Sequence, residues 1–173
     1  LLVKLAERFT TPKRRSCFLL NNYDLIHQIL STDENLEHEL GFFDEQLIIE
    51  TDAFVQIELE THFGDALLQI ESLEFGKSSP DVAVEQSIQI LKAFSEQWKQ
   101  QITKINSEIV SLFSNYNRGM DILQRTLSSL LVKYTDACEK TSASGEEAKK
   151  TVDAIRVTNA AFLFECKRYA RAK

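Results

Sequence analysis

The sequence predicts an all-α fold, and three observations support that prediction. Apolar residues recur at alternating spacings of four and three over most of the chain, which is the period of one helix face. Only 5 Gly and 2 Pro occur in 173 residues, too few for the many tight turns of a β-sandwich. Strand-like alternation of apolar and polar residues over more than five positions is scarce.

The N-terminal part of the chain predicts three helices. Residues 2–9 form a short first helix, and a second helix begins at Pro12 after a capping threonine. A polar connector at 31–35 leads into a third helix at about 35–62, which Gly64 can break before a shorter helix follows. The third helix is apolar on more than one stripe, so we expect it to contact two neighbours.

The longest apolar seam covers residues 84–137 and contains one slip. Its first track follows 4-3 spacing, and Ser95 is the one polar residue at a position of the track. The apolar residues are Val84, Ile88, Leu91, Trp98, Ile102, Ile105, Ile109 and Leu112. A second track is one residue out of phase: Phe113, Tyr116, Met120, Leu123, Leu127, Leu130, Tyr134 and Ala137. The slip predicts a helix junction or kink formed by Asn115, Tyr116, Asn117 and Gly119.

Two loops and one last helix complete the expected architecture. The clearest loop is 75–80, with Ser79 as a helix cap and Pro80 at the first helical position. After a second loop at 141–145, one helix at 148–169 has Asn159 as the polar residue of its seam. We expect acidic helices at 1–76, then a long kinked helix and a C-terminal helix at 80–173, in one continuous domain. Helices of this length predict an elongated rod.

The charge is distributed unevenly along the chain. The net charge is −6, yet residues 16–76 hold 14 acidic residues and no Lys or Arg. The remaining residues are therefore strongly basic. Either the acidic helices lie beside basic ones within the molecule, or the acidic face binds a basic partner.

The residue types needed for catalysis do not occur in a productive pattern. None of His27, His38 and His62 lies four residues from another His or Cys, so helical metal-ligand spacing is missing. The five glycines are isolated, which excludes a Gly-rich phosphate loop. We therefore expect no enzyme activity, cofactor or metal. An acidic chain without a reader motif also argues against nucleic-acid binding, and no stretch approaches 18 apolar residues, so we expect no membrane span.

Two further features concern the environment and a candidate partner site. The three cysteines are odd in number and far apart, which favours free buried thiols in a reducing compartment. Asn21, Asn22 and Tyr23 place two amides and a phenol on an otherwise apolar helix. These side chains either bind a partner or are buried polar groups bonded to a neighbouring helix.

Three short blocks carry a family resemblance. Residues 16–24, Ser-Cys-Phe-Leu-Leu-Asn-Asn-Tyr-Asp, look like a Phe-Leu-Ile-Asn-Asn-Tyr-Asp signature. Residues 93–99 place three residues between the aromatic Phe94 and the pair Trp98-Lys99. Residues 113–119 resemble a Phe-Thr-Asn-Phe-x-Asn-Gly block; the sequence departs from it at Arg118, where the family block has Asn, and Gly119 remains. In their order and spacing, over roughly residues 7–139, the blocks resemble the C-terminal part of the vacuolar-protein-sorting subunit fifty-two family.

Members of that family belong to the Golgi-associated retrograde protein complex, GARP, and its endosomal relative, EARP. The resemblance implies a CATCHR-like rod of helical bundles and a non-enzymatic role in endosome-to-trans-Golgi vesicle tethering. It also implies sister subunits, SNAREs and a Golgi Rab GTPase as partners, and a cytoplasmic, peripheral location at the trans-Golgi network and endosomes. Since the family assembles through N-terminal coiled coils, we expect this chain to be monomeric. The alternative is a coiled-coil spacer or homo-oligomeric scaffold.

Overall fold

The computed structural model describes residues 1–72 and 80–170, and it confirms the all-α prediction. Within those ranges there is no β-strand, and a 3-10 turn at Glu34–Leu36 joins the second and third helices. The α-helices are α1 (Leu2–Ala6), α2 (Pro12–Leu30), α3 (Glu37–Ser72), α4 (Pro80–Leu112), α5 (Tyr116–Ser142), α6 (Glu146–Ile155) and α7 (Asn159–Ala170). No described helix is apolar over enough length to cross a lipid bilayer.

Local sequence sets the helix boundaries in the N-terminal part. Pro12 is the first residue of α2, and the Thr11 hydroxyl accepts a hydrogen bond from the Arg14 amide at 3.3 Å. Gly64 interrupts α3 with φ 48° and ψ −153°, a conformation that only glycine adopts without strain. Both features were predicted. The expected loop at 75–80 and its Ser79 cap lie outside the described residues, apart from Pro80, which begins α4.

The long seam is divided between α4 and α5. Helix α4 ends at Leu112 and α5 begins at Tyr116, so the break covers residues 113–115. Gly119 is the fourth residue of α5 and does not lie in the break. A Cβ atom there would lie 3.5 Å from side-chain atoms of both Ile109 and Phe113, which is ordinary van der Waals contact, so α5 packs directly against the end of α4 at this position.

The prediction of one final helix at 148–169 is wrong, because the chain breaks at residues 156–158. Arg156 is extended, with φ −62° and ψ 127°, and the Val157 amide donates to the Tyr134 hydroxyl instead of a helix carbonyl. The apolar 4-3 seam continues on both sides of the break, as the burial of Val152 in α6 and Phe162 in α7 shows. Asn159 is an exposed residue at the start of α7, so it does not fix the register of a buried seam.

The chain divides into two compact units, and the predicted ranges 1–76 and 80–173 stay a prediction. Unit 1 comprises Leu1–Glu58 and Ser107–Thr126, and unit 2 comprises Leu59–Asn106 and Leu127–Lys173. Helices α3, α4 and α5 each contribute to both units, so a boundary drawn at one point in the sequence does not describe them. The core of unit 1 includes Leu19, Leu20, Leu47, Phe54, Ile109, Phe113 and Ile122. The core of unit 2 includes Ile70, Leu91, Ile102, Ile105, Leu130, Tyr134 and Phe162.

Candidate functional site: a polar junction in unit 1

Two blocks that lie about ninety residues apart in the sequence meet in unit 1. The C-terminal half of the 16–24 block, on α2, contacts the 113–119 block, which joins α4 to α5. Hydrogen bonds link Asn21, Asp24, Ser114, Asn115 and Arg118, and we call these five residues the polar junction. Three of them, Asn21, Asp24 and Arg118, project from helices, so the secondary structure holds their positions.

The Asn21 side chain bonds to the backbone at the C-terminal end of α4. Its Nδ2 donates to the Leu112 carbonyl oxygen at 3.0 Å and to the Cys17 carbonyl oxygen of its own helix at 3.0 Å. Its Oδ1 accepts from the Ser114 amide at 3.1 Å and from the Ser114 hydroxyl at 3.2 Å. The side chain thereby satisfies a carbonyl and an amide that the break removes from the helix ladder.

Asn115 caps the N-terminus of α5 and also bonds to α2. Its Oδ1 accepts from the Asn117 amide at 3.0 Å and the Arg118 amide at 3.4 Å, as a helix N-cap does. Its Nδ2 donates to Asp24 Oδ2 at 2.7 Å. One side chain therefore fixes both the start of α5 and its position against α2.

Asp24 is the anionic centre of the polar junction and is only 5% exposed. Its carboxylate accepts from Arg118 Nε at 2.8 Å, Asn115 Nδ2 at 2.7 Å and Gln28 Nε2 at 2.6 Å. A buried carboxylate is tolerated when it is paired and hydrogen-bonded in this way. Arg118, the position that departs from the family block, supplies the compensating charge.

The other predicted site residues have different surroundings. Asn22 is half-buried and donates to the Phe18 carbonyl oxygen of its own helix at 2.7 Å. Tyr23 is buried with its ring 5.8 Å from that of Phe43, and burial raises the pKa of its hydroxyl. Tyr116 and Asn117 are exposed.

One alternative for Asn21 was a hydrogen bond to a neighbouring helix, and the structure shows that bond. Partner binding through Asn21, Asn22 and Tyr23 stays a prediction. The sequence reasoning missed the roles of Asp24, Ser114 and Arg118. Asp24 was visible as the end of the first block, but nothing local indicated that Arg118 would be its partner.

A second ion cluster in unit 1 surrounds Lys13. Its ammonium contacts the carboxylates of Glu58 and Glu108 and lies 6.0 Å from the centroid of the Phe54 ring. Burial by itself lowers the pKa of Lys13, but hydrogen bonds and charge attraction from the two glutamates outweigh it, so the pKa is raised. This lysine precedes the acidic tract of the sequence and neutralises one of its members, Glu58, inside the unit.

Unit 2 has an aromatic core and a surface cavity beside it. The ring of Phe94 stacks on Tyr134 at 4.3 Å, and Trp98 stacks on Phe162 at 5.2 Å, so the predicted core role of Trp98 is confirmed. The cavity has a volume of about 440 Å³ and an open mouth. It is lined by Ser95, Glu96, Trp98, Lys99, Arg156, Val157, Thr158 and Ala161.

Comparison with known proteins gives relatives of one kind. The chain is 31% identical over 178 residues to vacuolar protein sorting-associated protein 52 B of Arabidopsis thaliana, covering 99% of this chain. It is 30% identical over 184 residues to the vacuolar protein sorting-associated protein 52 homolog of Caenorhabditis elegans, again over 99% of the chain. The Homo sapiens homolog is 25% identical over 141 residues, which cover 77% of the chain.

The matched region is a fraction of each relative. The chain spans 25% of the length of the plant and nematode proteins and 19% of the human one. No family model matches the chain, and no solved structure does. Because the similarity extends over 99% of its residues in organisms as distant as a plant and a nematode, the chain belongs to the vacuolar protein sorting-associated protein 52 family.

Proposed function

We propose that the chain is the C-terminal segment of a non-enzymatic subunit of a vesicle-tethering complex, GARP or EARP. In this role it would offer a surface to a sister subunit, a SNARE or a Golgi Rab GTPase during endosome-to-trans-Golgi transport. The protein would act on the cytoplasmic side, peripherally at the trans-Golgi network and endosomes. The observation that carries the proposal is the similarity to proteins named for vacuolar protein sorting over 99% of the chain.

The geometry of unit 1 supports a scaffolding role. The polar junction uses its amides, carboxylate and guanidinium to hold three helix segments together, and its bonds are satisfied within the unit. A tether subunit needs such a rigid piece, because a binding surface keeps its shape only when the helices that carry it are fixed. Two of the three blocks that carry the family resemblance, 16–24 and 113–119, meet at this junction, which supports a structural role for them.

Transport can be tested with a chimera in cells that lack the endogenous family member. A full-length relative whose corresponding quarter is replaced by this chain should restore delivery of an endosomal cargo to the trans-Golgi network. The same relative with that quarter deleted is the control and should fail. Equal rescue by both proteins would show that the segment is dispensable and would contradict the proposal.

Direct Rab recognition needs a separate measurement. The chain is immobilised and exposed to a Golgi Rab GTPase locked in its GTP or GDP state. We expect preferential recovery of the GTP form, since tethers act on active Rab proteins in the proposed role. Equal recovery of both forms, or recovery of neither, would assign partner binding to a sister subunit or a SNARE instead.

A homo-oligomeric scaffold is the second candidate, and exposed apolar residues on α3 favour it: Phe42, Ile48 and Ile49 are each more than half exposed. Light scattering over a range of concentrations separates the two functions. A constant monomer mass supports the tether segment with a free surface, whereas a stable dimer supports the scaffold.

A further inference from the structure

The outward face of α3 has a regular pattern that the fold of unit 1 does not use. Residues 42, 45, 49, 52 and 56 follow 3-4 spacing, and all five are exposed. Phe42 is 52% exposed and Ile49 is 53% exposed, with Ile48 beside them at 54%. The opposite face of the same helix is buried through Leu47, Thr51, Phe54 and Val55. We call residues 42, 45, 49, 52 and 56 the outer stripe.

Acidic residues alternate with the apolar ones along the outer stripe. Glu45 lies between Phe42 and Ile49, and Asp52 follows Ile49. Neither carboxylate forms an ion pair with a residue that the structure describes, and α2 and the unit 1 part of α3 contribute no Lys or Arg between residues 16 and 58. The outer stripe therefore combines large exposed apolar side chains with acidic side chains on the same helix face.

The 3-4 spacing of the outer stripe indicates that its binding partner is a helix. Side chains at 3-4 spacing form the seam through which one helix packs lengthwise on another, with apolar residues as the contacts and charges as the selectors. A partner helix must then place apolar residues opposite Phe42 and Ile49 and cations opposite Glu45 and Asp52. A second copy of this chain would instead place carboxylates of one stripe near carboxylates of the other, which is repulsive.

We propose that the outer stripe of α3 binds a basic amphipathic helix of another protein chain. This inference rests on the proposed function, because it names the chemistry of one partner of the tether subunit. Binding buries the ring of Phe42 and the aliphatic side chains of Ile48 and Ile49. Lysine or arginine side chains of the partner neutralise Glu45 and Asp52. The partner chemistry is thus apolar and cationic residues repeating at helical spacing on one face.

Fluorescence anisotropy with a synthetic peptide tests the proposal on the whole 173-residue chain. The probe is a labelled helix of about 21 residues, three heptads, whose one face alternates Leu and Lys at 3-4 spacing. A scrambled peptide of the same composition has the same charge without the helical face. We expect the amphipathic probe to bind at least about tenfold more tightly than the scrambled one, a difference of about 1.4 kcal/mol.

Matched variants of the chain locate the binding surface. Phe42→Ser with Ile49→Ser, and separately Glu45→Lys with Asp52→Lys, should each weaken binding by about tenfold or more. The controls are Phe164→Ser with Val132→Ser, which remove apolar groups that are more exposed than those of the outer stripe, and Glu85→Lys with Glu139→Lys, which change net charge equally. Because all these side chains are exposed, circular dichroism should show folded proteins throughout.

Three outcomes would overturn the proposal. The first is the absence of peptide binding or equal binding of the scrambled peptide. The second is equal weakening by the control variants, which indicates unspecific charge attraction. The third is a dimer in light scattering that Phe42→Ser with Ile49→Ser abolishes, which reassigns the outer stripe to a second copy. The proposed tether function is judged by the chimera experiment and stands or fails independently of these results.

Discussion

Two short breaks between described helices, α4–α5 and α6–α7, satisfy their interrupted backbone in different ways. At the α4–α5 break in unit 1, the side-chain amides of Asn21 and Asn115 bond to the interrupted backbone, and the Asp24 carboxylate accepts a hydrogen bond from Asn115. At the α6–α7 break in unit 2, the buried hydroxyl of Tyr134 accepts from the Val157 amide at 2.9 Å, and the Thr158 hydroxyl caps α7 at 3.1 Å. The first break is thus a charged network of several members, and the second depends on one buried bond and one local cap.

The difference between the two breaks predicts different sensitivities. A network built around a buried charge fails severely when one charge is left without its partner, because the desolvation cost of the remaining group is not offset. A neutral bond to a single amide costs less when it is lost. The α4–α5 break should therefore depend on Asp24 more than the α6–α7 break depends on Tyr134.

The largest effect is expected from Asp24→Ala. This change leaves the Arg118 guanidinium, with a side chain 24% exposed, beside an apolar methyl group and removes an acceptor from Asn115. We expect a loss of about 3 kcal/mol in the free energy of unfolding, measured by urea denaturation. Asp121→Ala is the control: its carboxylate is 44% exposed and pairs on the same helix with Arg125 at 3.2 Å and with Arg118 only at 3.9 Å, so its loss should cost less than about 0.5 kcal/mol. Equal losses would show that the polar junction is not a cooperative network.

The second effect is expected from Tyr134→Phe, which removes only the hydroxyl at the α6–α7 break. The buried Val157 amide then has no acceptor, and we expect a loss of about 1–3 kcal/mol in the same measurement. Tyr169→Phe is a suitable control, because its hydroxyl bonds to Thr103 at 2.8 Å and Thr103 is exposed to water. A loss for Tyr134→Phe that exceeds that of Asp24→Ala would reverse the comparison of the two breaks.

A third prediction compares the helix caps of the two breaks. Asn115→Ala removes the cap of α5 and a donor to Asp24, and Thr158→Ala removes only the cap of α7. We expect losses of about 1–2 kcal/mol for Asn115→Ala and about 1 kcal/mol for Thr158→Ala. The extra loss at Asn115 should disappear in the background of Asp24→Ala, as a double-mutant cycle would show. If Asn115→Ala causes the same loss with and without Asp24→Ala, the Asn115–Asp24 bond contributes nothing.

The smallest effect concerns alkaline pH, and both breaks contribute to it. Burial raises the pKa of the Cys17 thiol, which donates to the Leu112 carbonyl oxygen at 3.4 Å at the first break. Burial likewise raises the pKa of the Cys138 thiol and the Tyr134 hydroxyl near the second. Unfolded thiols lose their protons from a pKa of about 8.5 upward, so the unfolded state binds fewer protons than the folded one there.

The contribution of these groups to the free energy of unfolding should therefore be constant below about pH 8 and decrease as pH rises from there through the raised folded values. A thermal melting series between neutral and alkaline pH measures this decrease. Cys17→Ala with Cys138→Ala and Cys166→Ala should shift its onset toward the higher pH at which tyrosine and lysine titrate, because burial raises the pKa of all three thiols. An onset that stays in place in this variant would contradict a role for the thiols.

The sequence by itself determined the helical class, most helix boundaries and the position of the first break. Each of these has a local cause: the 4-3 apolar spacing, the Thr11–Pro12 start of α2, the positive φ of Gly64, and the phase slip followed by the capping residue Asn115. The exposed second stripe of α3 was also visible as apolar surface outside the main seam. Local patterns of this kind report on residues within one or two turns of each other.

Only the tertiary structure decided the second break, the pairing of Arg118 with Asp24 and the division of α3, α4 and α5 between two units. Val157 loses its helical bond because Tyr134, 23 residues earlier, offers a buried hydroxyl, and the apolar seam continues across the break without a change of phase. Asp24 and Arg118 are 94 residues apart and meet because α2 packs against the start of α5. Such partners are set by packing between distant segments, which spacing along the chain does not encode.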